Sequence, residues 1–185
     1  MKLFPSQDFA AVVPSSNAKD YVSESQSLST IASSTGIQRF EFDLTTAWER
    51  LPLARAIWMF LNARGQGQKF LIQLPVYDTP NGVVGGAVSA LAAYSVGVNA
   101  LLLNNYTAAV GDFIQFAGHS KVYGVEDVNG ALATIYPPLL KSVANNESVN
   151  VNNLQFTVRR VGDISKLESN KKSSGKVKFK VIEAF

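Results

Sequence analysis

A chain of 185 residues with 46% hydrophobic content has enough apolar side chain to bury one ordinary core or two small ones, which excludes disorder throughout. Its 17 basic and 14 acidic residues leave a net charge of +3, short of the dense basic patches of a dedicated nucleic-acid binder. Cysteine is absent, which excludes disulfide staples, thiolate metal sites and a disulfide-rich secreted fold.

The chain opens Met1-Lys2-Leu3-Phe4-Pro5, one lysine without the apolar run of a signal peptide. No apolar stretch reaches the ~20 residues that span a bilayer, so a soluble chain without membrane insertion is expected. Residues 11–36 are rich in Ser, Thr, Ala and Asn, with Val12, Val13, Tyr21, Val22, Leu28 and Ile31 among them. Short strands joined by polar turns are expected there, as edge strands or a long arm.

From Ile37 to Leu44 the residues separate into Arg39, Glu41 and Asp43 against Gln38, Phe40, Phe42 and Leu44, the alternation of a half-buried strand. The period then changes. Trp48, Leu51, Ala54, Ile57, Trp58 and Leu61 recur at helical spacing, predicting an amphipathic helix from Trp48 to Arg64. Thr45 or Thr46 is the expected N-cap, Pro52 fits the first turn, and Gly65 supplies the stop. Phe70–Leu74 reads as a strand leaving through Pro75.

Turn residues cluster at Asp78-Thr79-Pro80-Asn81-Gly82, and beyond them the pattern is all-β. Strands are expected around Val83–Leu91, at Val98–Leu103, at Phe113–Phe116, from Lys121 to Val125 and from Ala131 to Ile135. Asn104-Asn105-Tyr106 begins a loop, and Asn129-Gly130 is a hairpin signal. About five short strands in this span point to a small barrel or sandwich. Residues 141–153 form a polar loop, Leu154–Val158 alternates again, and LESNKKSSGK after Gly162 reads as an exposed basic turn. Val177 to Phe185 alternates to its end, and a strand so patterned must be paired. The economical topology is one domain interrupted by another, the last strand returning to the first sheet.

His119, the one histidine, invites a general-base reading. Its neighbour Ser120 stands in the wrong relationship for a dyad, no G-x-S-x-G elbow occurs, and a zinc site would rest mainly on carboxylates. His119 is therefore expected to be structural. Asp112, Glu126 and Asp127 fall near predicted turns, and Glu41, Asp43 and Glu49 on exposed faces; nothing pairs them as glycosidase acids are paired. Gly65-Gln66-Gly67 and the GVVGG run from Gly82 to Gly86 lack the strand-to-helix setting of phosphate loops. Tyr136-Pro137-Pro138 ends a strand. No catalytic, cofactor-binding or metal-binding residue is expected. Phe113, Phe116, Tyr123, Tyr136 and Phe156, with Lys121, Arg159 and Arg160, suit a barrel that stacks single-stranded nucleic acid, although core packing fits Phe113 and Tyr123 as well.

Four strings carry a resemblance: Gly111-Asp112-Phe113-Ile114, His119-Ser120-Lys121-Val122-Tyr123, Ile135-Tyr136-Pro137-Pro138-Leu139, and Leu154-Gln155-Phe156-Thr157-Val158-Arg159. Together they resemble the distal tail proteins of long-tailed bacteriophages, closest to the type with an OB-fold inserted in a β-sandwich. The resemblance is strong over 111–160. Over 37–77 it holds as a plan of strand, helix ending in Arg and Gly, and strand leading to LPVYD; the Ser-rich N-terminal segment departs from it.

The resemblance implies a mainly β fold, with a sandwich and one helix over 1–76 and 164–185, and an inserted OB-like barrel over 77–163. It implies a virion structural protein that is not an enzyme, a subunit of a hexameric ring at the distal end of the tail. The partners implied are copies of itself, the tail tube protein, and tail-tip, hub or baseplate proteins, with assembly in the bacterial cytoplasm. The alternative is an OB-type module for single-stranded nucleic acid or for host-surface carbohydrate.

Overall fold

The computed structural model describes residues 1–5, 8–24, 30–77, 79–170 and 173–185. In chain order the elements are β1 (Phe9–Glu24), β2 (Thr30–Thr46), β3 (Glu49–Arg50), helix α1 (Leu51–Arg64), β4 (Lys69–Gln73), β5 (Val83–Ala90), β6 (Ala100–Thr107), β7 (Phe113–Phe116), β8 (Tyr123–Asn129), β9 (Leu132–Tyr136), β10 (Val149–Asn150), β11 (Gln155–Ser169) and β12 (Ser174–Glu183). The protein is mainly β with one helix, as the sequence leads one to expect, and its strands divide between two sheets.

The first sheet runs β1-β2-β12-β11-β4, every pair antiparallel, with β3 also paired to β12. The alternation read at 37–44 is kept: Gln38, Phe42 and Leu44 are buried and Asp43 is exposed. Phe70 and Ile72, Phe156 and Val158, and Val177, Phe179 and Val181 lie on the same inner face. Helix α1 covers it with Ala54, Ile57 and Leu61, all at 0% exposure. The fully buried side chains of Ile57 and Leu61 contribute roughly 1.5–3 kcal/mol each. The helix sits close because Gly175 has no side chain; a Cβ there would lie 2.9 Å from the Cβ of Ala54.

The second sheet runs β10-β7-β8-β9-β6-β5, again antiparallel throughout. Its ends approach each other where the amide of Ala90 donates to the carbonyl of Glu147 at 2.9 Å and Ser89 bridges to Ser148. The result is a nearly closed barrel of six strands around Leu101, Ile114, Phe116, Tyr123 and Ile135.

Several expectations are corrected. Leu154–Val158, expected inside the inserted segment ending at 163, leads from Leu154 into β11, which pairs with β4 and β12 of the first sheet; the barrel's last strand ends at Asn150. The described residues of 11–36 are not several short strands but parts of two long antiparallel ones, β1 and β2, paired from Phe9↔Thr46 to Glu24↔Thr30 with two register shifts; residues 25–29 lie outside the described residues. Leu28 lies outside the described residues, as do Asp78, Lys171 and Lys172. Asn104–Tyr106 continue β6, and β10 interrupts the loop at 141–153. The helix begins at Leu51, three residues and so about one turn later than Trp48 suggests. Its N-cap is Arg50, without a side-chain bond, because Thr46 remains in β2 and its hydroxyl accepts the amide of Val177 at 3.0 Å. Trp48 is accordingly exposed.

Candidate functional site

The residues singled out by the sequence converge on the segment from Gly111 to Tyr123, where the barrel meets the first sheet. Asp112 precedes β7 and is buried. Its Oδ1 accepts the amide of Asn81 at 2.6 Å, and its Oδ2 accepts the amides of Gly82 at 3.1 Å and Ala109 at 2.8 Å and the hydroxyl of Tyr106 at 2.5 Å. One carboxylate thus ties the start of the barrel to the β6–β7 turn. Burial, then the Asp112 carboxylate, pushes the Tyr106 hydroxyl far up, so it stays a donor. Gly82 is required because a Cβ there would sit 2.3 Å from the carbonyl oxygen of Thr107. Asp112, expected as a turn residue, is a buried hub.

His119 stands in the turn between β7 and β8, 7% exposed. Its Nδ1 lies 2.9 Å from the Tyr123 hydroxyl and its Nε2 3.4 Å from the carbonyl of Ser142. A carbonyl only accepts, so Nε2 carries the proton and Nδ1 accepts from Tyr123, whose oxygen in turn accepts the amide of Leu140 at 3.2 Å. Burial holds the imidazole below its usual pKa, in the neutral form this chain of bonds needs. Both ring nitrogens are engaged, and neither bonds Ser120.

Lys121 is 2% exposed and donates to the carboxylate of Glu183 on β12 and to Oε1 of Gln38 on β2, the latter at 2.9 Å. Glu183 also accepts the amides of Phe40 at 3.1 Å and Val122 at 3.2 Å. Gln38 donates onward to the Ser16 hydroxyl at 2.9 Å. The ammonium lies 4.5 Å from the centre of the Phe40 ring, and Phe40 belongs to an aromatic cluster with Tyr77, Phe113 and Phe156, the Phe113 ring being 4.8 Å from Tyr77 and 5.7 Å from Phe40. Val122 itself joins the core of the first sheet.

The aromatic and basic residues named for nucleic acid are largely spent inside. Phe116, Tyr123 and Phe156 are buried, as are Lys121 and Arg160; Phe113, Tyr136 and Arg159 are half-buried. Glu126 and Asp127 are exposed on β8. Among the described residues, no three His, Asp or Glu side chains gather as a metal ion would require. No helix is long and apolar enough to cross a membrane among those residues.

Three hollows open nearby. One of about 500 Å³ is lined by uncharged groups, among them Ser120, Asn150, Asn152, Gln155 and Thr157. A second, of about 400 Å³, is rimmed by Arg39, Lys69 and Arg159. A third, of about 390 Å³, is mostly apolar and lies against Phe40, Phe113, Val125 and Tyr136. Gln38 and Glu183 were missed as functional positions by sequence reasoning, although each shares the parity of the apolar residues on its strand. No protein-family model matches this chain, and no curated protein matches it either.

Proposed function

We propose that this chain is a structural subunit of a phage virion, a distal tail or baseplate ring protein joining the tail tube to the tail tip or hub. The observation that carries the reading is the use made of the residues in the resembling strings. Asp112, His119 and Lys121 are the groups with reactive chemistry there, and all three are buried in bonds that fix the barrel to itself or to the first sheet. That is the behaviour of a module built to hold two bodies in fixed relation, and it favours assembly over catalysis.

A second reading, binding of surface carbohydrate by the barrel, is favoured by the hollow lined with Ser120, Asn150, Asn152, Gln155 and Thr157. Carboxamides and hydroxyls offer donors and acceptors without charge, as neutral sugars do. Single-stranded nucleic acid is supported less, since the aromatics it would stack on are largely in the core.

The test is antibody labelling of native particles from a source that encodes the chain, viewed by electron microscopy. Label at the distal end of the tail is the expected result. Particles that carry no label, with the epitope accessible, would remove the virion reading and send the barrel to glycan and oligonucleotide binding assays.

A further inference from the structure

The charge of the chain is segregated. Of its 17 basic and 14 acidic side chains, only two basic but five acidic ones fall in residues 78–153, so the barrel segment is net acidic and the remainder net basic.

On the outer face of the first sheet, Lys69 stands directly opposite Arg159 across the β4–β11 pair. Like charges in that position repel. Arg39 joins them at the rim of the hollow of about 400 Å³. The nearby carboxylate of Glu41 is already held by Lys180 at 3.1 Å and by Asn17 at 3.0 Å, with Arg39 at 3.7 Å. Among the described residues no carboxylate forms an ion pair with Lys69 or Arg159. Beside these cations stand two apolar side chains, Ile37 at 57% and Phe185 at 44% exposure.

The opposite side of the same ribbon has the complementary character. Ser16 and Phe40, each next in sequence to Asn17 and Arg39, line the open apolar hollow of about 390 Å³ with Phe113, Val125 and Tyr136. Its rim carries Glu126, with Asp127 beside it, both exposed at a bulge in β8. A cationic patch with apolar projections and an apolar hollow with an acidic rim therefore lie back to back. Complementary patches on opposite sides of one molecule join copies head to tail, in a closed ring or an open filament.

We propose that copies of this chain associate head to tail through these two surfaces. Ile37 and Phe185 of one copy enter the Phe113–Tyr136 hollow of the next, and Glu126 and Asp127 meet Arg39, Lys69 and Arg159. This rests on the reading of the chain as a self-assembling ring subunit, and names the contact that such a ring uses.

Because the chain contains no cysteine, single thiols report the contact cleanly. Full-length Ile37→Cys and Glu126→Cys proteins are mixed and oxidised with copper–phenanthroline. The mixed disulfide is expected to outweigh both homodimers, and to be lost when Arg159→Glu is added to the Ile37→Cys protein. Raising the salt to ~1 M, where the Debye length is ~3 Å, is expected to cut the yield roughly tenfold. A mixture giving no mixed disulfide, or homodimers in excess, overturns the proposal, as does an oligonucleotide or an acidic peptide occupying the Arg159 pocket while the mixed dimer fails to form. Label at the tail end without the mixed disulfide would sink this contact and leave the ring reading standing; the mixed disulfide without label would do the reverse.

Discussion

The ammonium of Lys121 and the carboxylate of Glu183, 62 residues apart in the chain, form an ion pair buried at the junction of the two sheets. Burial pushes the lysine pKa down and the glutamate pKa up, and their mutual attraction opposes both. Breaking such a pair from one side leaves an uncompensated charge away from water. Lys121→Met is therefore expected to lower unfolding free energy by about 3–5 kcal/mol. The double variant Lys121→Met/Glu183→Gln is expected to lose less than that single one, because a carboxamide oxygen still accepts the amide of Phe40 or Val122 and no charge is stranded. Urea unfolding of the three proteins decides it; a double variant less stable than Lys121→Met would refute the account.

His119 makes a pH-dependent contribution whose sign follows from its depressed pKa. Above the unfolded value of ~6.5 neither state binds the proton and the contribution is complete. As the pH falls below it, the unfolded chain takes a proton that the folded imidazole resists, and stability is lost down to the folded pKa. His119→Gln retains a donor and an acceptor but does not titrate. The stability difference between wild type and His119→Gln is expected to shrink from pH 7 towards pH 5, which separates His119 from Glu183, present in both. Thermal unfolding across that range checks it, and a constant difference would contradict the assignment of neutral His119.

Asp112→Ala leaves the amides of Asn81, Gly82 and Ala109 and the hydroxyl of Tyr106 without their shared acceptor. Unsatisfied buried donors cost about 1–3 kcal/mol each, and water reaching the loop recovers part of it, so a loss of at least about 3 kcal/mol is expected. Asp112→Asn keeps one oxygen and is expected to cost less. The loss should appear first as faster amide exchange at Gly82 and Ala109, measured by hydrogen exchange, while amides of β12 are retained longer.

The fold was legible where period and parity were clean. The alternation at 37–44 and at 177–183 placed Phe40, Phe42, Leu44, Phe179 and Val181 correctly, and the Asn129-Gly130 signal marked the β8–β9 hairpin, whose turn is Gly130-Ala131. Parity also marked the polar members of the junction, since Gln38 is in phase with Phe42, Lys121 with Tyr123, and Glu183 with Val181. What was missing is partner identity. A buried charge in the apolar phase needs a counter-charge, and only the folded chain brings residue 121 to residue 183. Asp112 was illegible for another reason: its donors are backbone amides, which every residue but proline has, so no side-chain pattern announces them. The helix start was misread because Trp48 fits the helical period while lying in the β2–β3 connection.

The last strand is interior to the first sheet, and that position decides what its removal should do. β12 lies between β2 and β11, pairing with both and with β3. Deleting residues 177–185 removes the buried Val177, Phe179, Val181 and Ile182, opens two interior edges, and leaves Lys121 without its carboxylate. Large-to-small changes at single core positions cost about 2–5 kcal/mol, so losing four such side chains costs roughly 8–20 kcal/mol, enough to offset the ~5–15 kcal/mol that a domain has in hand before the opened edges and the stranded Lys121 are counted. The truncated chain is therefore expected not to fold, rather than to fold and fail to assemble. Far-ultraviolet circular dichroism and urea titration of the truncated protein separate these outcomes, and a cooperative unfolding transition in it would show that β12 is dispensable to the sheet.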